Sequence, residues 1–130
     1  MSGRVCLITG GSSGIGKATV LGLANKGANV VMVGRERSRG EAARTKIVEK
    51  SGNELVDLML ADLSSQESIR QLAEAFTSRY GRLHVLINNA GILTSKRTVT
   101  VDGIETTFAV NHLAPFLLTN LLLDVLEASA

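Results

Sequence analysis

Four short segments of this chain are apolar at nearly every position: RVCLIT (4–9), NVVMVG (29–34), ELVDLMLAD (54–62) and LHVLIN (83–88). A strand with one wet face alternates apolar and polar residues, so a strand that is apolar throughout must be covered on both faces. Helical spacing fills the gaps between these segments. A helix from Gly14 to Lys26 carries Ile15, Ala18, Leu21 and Gly22 on one face and is closed by Gly27 as its C′ residue. Residues 37–51 read as a helix with a charged outer face, stopped by Ser51-Gly52. Ser64 and Glu67 form a capping-box pattern, with Ile69, Leu72, Ala73 and Phe76 following at helical spacing up to Gly81. Beyond a loop at 91–100, the i, i+3, i+4, i+7 repeat from Val110 to Val125 predicts a long apolar helix over 104–128. Pro115, which has no N–H to donate, should kink or break it. Strand and helix alternating in this way predict an α/β fold with a doubly wound parallel sheet. Right-handed crossovers make 3-2-1-4 the natural strand order.

Composition narrows the function classes. A chain of 130 residues suits one domain, and 45% apolar residues supply a core that must be aliphatic, since aromatics are only 3%. Fourteen basic and twelve acidic residues leave a charge of +2, too mild for a nucleic-acid or membrane-surface partner. Only Arg35, Arg37 and Arg39 are concentrated locally. Cys6, the sole cysteine, lies in the first apolar segment, where a small core residue is expected and an internal disulfide is impossible. The N-terminus MSGRVCLITGG has no apolar signal region. The stretch Phe116 to Leu126 is interrupted by Thr119, Asn120 and Asp124, short of the roughly 20 apolar residues a membrane span needs. These features point to a soluble, cytoplasmic protein with no membrane segment in this chain.

Between the first strand and first helix lies TGGSSGIGK (9–17). Two phosphate-binding sites use such a loop. A P-loop, G-x-x-x-x-G-K-[S/T], is matched by Gly11, Gly16 and Lys17 and by an acidic strand end at Asp62, but fails at Ala18, where a hydroxyl should hold Mg²⁺. Thr19 is one residue late, about 100° around the helix. A dinucleotide loop needs glycines for a tight turn, for approach of backbone to pyrophosphate and for close helix packing. Gly10, Gly14 and Gly16 provide them, and the amides of Ser12, Ser13, Gly14 and Ile15 would face the phosphates at the positive end of the helix. This predicts a Rossmann-type dinucleotide site.

TGGSSGIG also resembles the T-G-x-x-x-G-I-G fingerprint of the short-chain dehydrogenases/reductases. The match extends to Asp62 after the third strand, NNAG (88–91) after the fourth, and AVNHLAPFLLTNLLL (109–123) with its embedded asparagine. GRERSRGE and NHLAPFLLTNLLLD are similar to the retinol-dehydrogenase-like, NADP-using branch. The resemblance implies a hydride-transferring oxidoreductase acting on a carbonyl or alcohol. It implies that Asp62 and Leu63 border the adenine, that Asn89, Ala90 and Gly91 line the adenosine ribose side, and that Asn88 is a buried amide tying the central strands. It further implies that Asn111 is a catalytic residue, holding a water in a proton relay; the residues alone equally allow a helix-distorting or packing role. His112 has no second ligand beside it and is expected to pack against a helix neighbour.

At the end of the second strand an NAD-selective site places a carboxylate on the ribose hydroxyls. Gly34 stands there, followed by Arg35, whose guanidinium suits a 2′-phosphate, with Arg39 one turn further on. Glu36 is expected to face solvent. NADP(H) is therefore expected over NAD. The family's serine, tyrosine and lysine are not matched: Tyr80, the only tyrosine, is followed four residues on by His84. These residues are expected to form an N-terminal dinucleotide-binding portion that is inactive alone, or else a non-catalytic sensor module, with a P-loop NTPase the weaker alternative. An open apolar edge at the fourth strand calls for cover by further chain or by self-association.

Overall fold

The computed structural model describes residues 1–130. Strands β1 (Val5–Thr9), β2 (Asn29–Gly34), β3 (Val56–Leu60) and β4 (Val85–Ile87) form one parallel sheet in the order β3-β2-β1-β4. Helices α1 (Gly14–Asn25), α2 (Arg37–Ser51) and α3 (Gln66–Tyr80) make the crossovers, and a helical run from Thr106 to Ser129 follows β4. β3 and β4 are one to two residues shorter at each end than their apolar runs. Ladder pairing stops there, where Glu54, Asp62, His84 and Asn88 interrupt the apolar runs.

Two-sided burial explains the unbroken apolar strands. Leu7 of β1 and Val31 and Val33 of β2 point to one face, where Ile69, Leu72, Ala73 and Phe76 of α3 meet Ala114, Leu118 and Leu122. Cys6, Ile8, Val30 and Met32 point to the other, against Val20 and Ala24 of α1 and Ala43 and Ile47 of α2. Burial raises the Cys6 thiol above its ordinary value, so Cys6 is a core residue and not a nucleophile. β4 pairs with β1 alone, leaving its far edge without a strand.

Three local expectations change. The inner face of α1 is Gly16, Val20 and Ala24, whereas Ile15 is 80% exposed and Ala18 and Gly22 are exposed as well. The first turn is aimed at the loop and its ligand space, so the apolar Ile15 does not mark the core. The cap of α3 is Ser65, whose hydroxyl accepts from the Ser68 N–H; Ser64 instead turns back to Asp62. The last helix is not continuous α-helix. A short α4 (Thr106–Phe108) passes into a π segment (Ala109–Leu113), then α5 (Ala114–Ser129), with Pro115 in the first turn of α5. The wider turn places Pro115 where its missing N–H costs least. Glu105 caps the start of this run. The Thr107 and Phe108 N–H groups it accepts hold its carboxyl below the usual range.

The run Thr106–Ser129 is 24 residues long and contains an 18-residue stretch with a mean hydropathy of 1.4, enough by length and composition to cross a membrane. This departs from the short, interrupted stretch read in the sequence, because turns on both sides of Phe116–Leu126 join the same helix. One face of α5, at Ala114, Leu118 and Leu122, is packed on the sheet.

At the outer end of β3, Asp57 receives the Tyr80 hydroxyl and pairs with Arg79 at 3.2 Å. Burial raises the Tyr80 phenol most, and the Asp57 hydrogen bond and charge add to it. A raised folded pKa means the stabilisation is complete below the ordinary phenol value of about 10 and is lost as pH rises through the folded value. With one tyrosine and no tryptophan, absorbance near 295 nm reports this group alone. The phenolate should form only well above pH ~10, together with unfolding; ionisation at the ordinary value in the folded chain would contradict this placement.

Candidate dinucleotide-binding site

In a parallel sheet every strand delivers its following loop to the same end, so the loops after β1, β2, β3 and β4 meet at the carboxyl edge. They enclose a cavity of about 1090 Å³. Gly10, Ser12, Ser13, Gly14, Ile15 and Gly16 come from the β1 loop, Arg35 and Arg39 from the β2 side, Asp62 and Leu63 from β3, and Asn89, Ala90 and Gly91 from β4. Every residue assigned to a dinucleotide from the sequence therefore lines one space. Asn111, expected to be catalytic, does not line it and is exposed on the helical run after β4.

The loop is held by contacts spanning about 80 positions of sequence. The buried Thr9 hydroxyl accepts from the N–H groups of Asn89 and Ala90, each at 3.1 Å, while Asn89 Nδ2 donates to the Gly10 carbonyl at 3.2 Å. Gly10 and Gly14 have φ of +69° and +56°, which a side chain disfavours. A Cβ on Gly16 would lie 2.0 Å from the Gly10 carbonyl oxygen and 2.4 Å from Asn89 Nδ2, so the helix seats on the loop only with glycine there. Gly11, which the P-loop pattern claimed, is a packing glycine: its Cβ would meet Met32 Cβ at 2.8 Å.

This cradle fits an anionic ligand. Ser13 begins α1 without a side-chain cap, and the first turn holds no acidic residue. The N–H groups of that turn and the positive helix end therefore face the cavity uncompensated. The α3 start, by contrast, has Ser65 as cap and Glu67 in the first turn. Ser12 Oγ is buried and has no hydrogen-bond partner within the chain, a costly arrangement unless a ligand completes it. A Cβ at Gly34 would stand 2.7 Å from that oxygen, so the end of β2 carries no side chain between Ser12 and the ligand space.

The P-loop alternative loses its remaining support. Thr19 Oγ1 donates to the Ile15 carbonyl within the helix at 2.8 Å, and Lys17 lines a groove between α1 and α2 and not the cavity.

Electrostatics divide the adenosine end. Arg35 is exposed at the cavity rim, and Glu36, expected to face solvent, also lines the cavity and pairs with Arg39 at 3.6 Å. Asp62 accepts from the Ser64 hydroxyl at 2.6 Å and the Ser64 N–H at 3.0 Å. The hydroxyl does most to lower its carboxyl, against partial burial, with the Ser64 N–H and the Arg35 charge assisting. Asp62 thus stays ionised and keeps its outer oxygen for a donor.

Two asparagines differ from expectation. Asn88 is exposed, and its Nδ2 donates to Thr119 Oγ1 of α5 at 3.1 Å; Asn89, not Asn88, ties the central strands. Asn111 lies in the π segment and turns both polar atoms of its amide to one residue, with Oδ1 accepting from Ile92 N at 2.8 Å and Nδ2 donating to Ile92 O at 2.7 Å. That clamp fixes the chain after NNAG against the helix. His112 stacks on Phe108 with ring centroids 5.1 Å apart. Thr9, Ser64, Thr106 and Val110 were not singled out as site residues. The Asp-x-Ser pattern at 62–64 was a local signal for Ser64, but Thr106 and Val110 reach the cavity only through the path of the chain after β4.

Residues 4–130 match the short chain dehydrogenase family. The chain belongs to that family. Its relatives include human dehydrogenase/reductase SDR family member 12, 47% identical over 96% of this chain and 39% of the relative. Mouse retinol dehydrogenase 12 is 46% identical over 98% of this chain and 40% of the relative, in keeping with the branch inferred from the motifs. Among solved structures, the Pseudomonas aeruginosa RhlG/NADP active-site complex is 33% identical with a TM-score of 0.85, covering all of this chain and 50% of that one. The chain spans about two-fifths of the length of these two curated relatives.

The unpaired hydroxyl gives this short-chain dehydrogenase site a stability signature. Ser12→Ala removes a buried group without a partner and should raise unfolding free energy by about 1 kcal/mol, read as a higher urea midpoint at constant m. A loss of that size would mean that Ser12 Oγ is satisfied within the chain.

Proposed function

We propose that this chain is the dinucleotide-holding portion of an NADP(H)-dependent oxidoreductase that moves hydride between a nicotinamide and a carbonyl or alcohol carbon. The observation that carries the cofactor choice is the end of β2. Gly34 offers no carboxylate for a ribose diol, and Arg35 stands free of any ion pair at the rim of the cavity. A guanidinium there makes bidentate, charge-assisted bonds to a 2′-phosphate. Arg39 serves as a second cation, weakened by Glu36. The NADP complex named for the Pseudomonas aeruginosa structure supports the same choice.

Within the cavity, the amides of Ser12 to Ile15 and the Ser12 hydroxyl take the pyrophosphate, with Gly10, Gly14 and Gly16 keeping the backbone bare. Asp62 accepts from the adenine amine, Leu63 covers the adenine face, and Asn89, Ala90 and Gly91 line the ribose. The bound nicotinamide supplies or accepts the hydride. Asn111 acts by positioning: its clamp on Ile92 holds the β4 loop, and the π segment around it leaves helix carbonyls open to a water of the proton path.

Tyr80 is engaged by Asp57 at the opposite end of α3 from the Asp62–Ser65 loop and so is no general acid. We therefore assign the proton-transfer and substrate-shaping groups to residues outside 1–130, together with the cover for the open β4 edge, unless a second copy supplies that cover. A non-catalytic dinucleotide sensor is the alternative that the same observation allows.

Two measurements test this reading. Arg35→Glu should weaken NADP⁺ binding about 10- to 100-fold relative to NAD⁺, measured by calorimetric titration. An unchanged preference would remove the cofactor assignment, and tight Mg²⁺-dependent ATP binding without dinucleotide binding would remove the whole reading. The 130 residues should bind NADPH yet reduce no ketone or aldehyde; NADPH consumption above the uncatalysed rate would place the chemistry within them.

A further inference from the structure

Beside the first turn of α1, sharing only Gly14 with the cofactor cavity, a groove of about 230 Å³ runs between α1 and α2. Lys17 from α1 and Lys46 and Lys50 from α2 line it together with the apolar Ala18, Leu21 and Ile47, and Gly14 completes the lining. No carboxylate lines it. Lys17 is the only charged residue in α1. The nearest acids of α2 turn elsewhere: Glu41 pairs with Arg44 at 3.8 Å, and Glu49 lies outside the groove lining. None of the three lysines takes part in a salt bridge.

That arrangement works against the helix unless something answers it. Lys46 and Lys50 are i, i+4 neighbours, a spacing at which like charges repel, and Lys17 adds a third ammonium across the groove. An opposite pairing at either place, as at Glu36–Arg39 and Glu41–Arg44 on the same helix, was open to the sequence. The apolar part of the lining adds a second requirement. The groove's volume exceeds the ~30 Å³ share of a single water several times over, more than a bare halide needs. An anion carrying a short carbon skeleton meets both the ammonium groups and the apolar Leu21 and Ile47.

We propose that the α1–α2 groove is a second anion site, distinct from the dinucleotide cavity, which binds the phosphate of a phosphate monoester through Lys17, Lys46 and Lys50. The ester's carbon atoms rest on Ala18, Leu21 and Ile47. The phosphate comes from a soluble ester or from the headgroup of a phosphomonoester lipid; the chemistry at the lysines is the same.

The test uses the ¹⁵N-labelled chain at fixed ionic strength, titrated with glycerol 3-phosphate and, separately, with phosphatidylcholine vesicles with and without phosphatidic acid. Saturable shifts centred on Lys17, Lys46 and Lys50, rather than on Ser12 and Arg35, support the site and a soluble source. Binding only to vesicles containing phosphatidic acid supports the site and a lipid source. Each single Lys→Gln substitution should weaken binding about two- to fivefold, as for exposed ion pairs, and the exposed pair Lys46→Gln/Lys50→Gln should abolish saturation with the fold intact. The site is refuted if shifts are unsaturable or spread over all lysines, if they persist in the double variant, or if neither titrant binds.

Discussion

Burial of β1 on both faces is the constraint on which the remainder depends. Cys6 and Ile8 face one helical layer and Leu7 the other, and β1 lies inside the sheet between β2 and β4. Once it is central and parallel to its neighbours, the loop after Thr9 has to emerge at the carboxyl edge beside the loop after β4. The buried Thr9 hydroxyl then meets the N–H groups of Asn89 and Ala90, which ties the two loops together at the cavity. Packing thus places the site before any ligand-binding residue has a role.

The cavity itself is left incomplete in a chemically specific way. Elsewhere the chain satisfies its polar groups carefully: Asn53 ties the α1 end to the β3 entrance through the Ala24 and Ala28 carbonyls, and Ser65 caps α3. At the glycine loop the cap is absent, the first helical turn lacks an acid, and the Ser12 hydroxyl is buried without a partner. A folded chain tolerates such unpaired groups where a ligand supplies the missing acceptors. The same contrast distinguishes the lysine groove from the rest of α2, where opposite charges are paired at i, i+3.

The region after β4 shows how one amide organises a helix and a loop together. Asn111 gives both polar atoms to Ile92, and the π segment presents it in the required direction. The extra residue in that turn also seats Pro115 in the first turn of α5, and Leu118 and Leu122 then fall on the α3 layer. A regular α-helix through 109–113 would rotate either the asparagine or the leucines out of place, because each added residue turns a helix by about 100°.

The amino-acid sequence by itself determined the layered fold, the strand order, the glycine cradle and the cation at the end of β2. Each follows from local periodicity, backbone sterics at glycine or position along one strand. Only the tertiary structure decided that Asn89 rather than Asn88 ties the strands, that Ser65 rather than Ser64 caps α3, and that Glu36 turns in to Arg39. It also decided that Ile15 lies exposed at the cavity and that Thr106 and Val110 line it. Adjacent residues of the same type, such as Asn88 and Asn89 or Ser64 and Ser65, carry no local mark of their roles. Their directions are set by sheet register and by partners as many as 80 positions away, and only the assembled core fixes those.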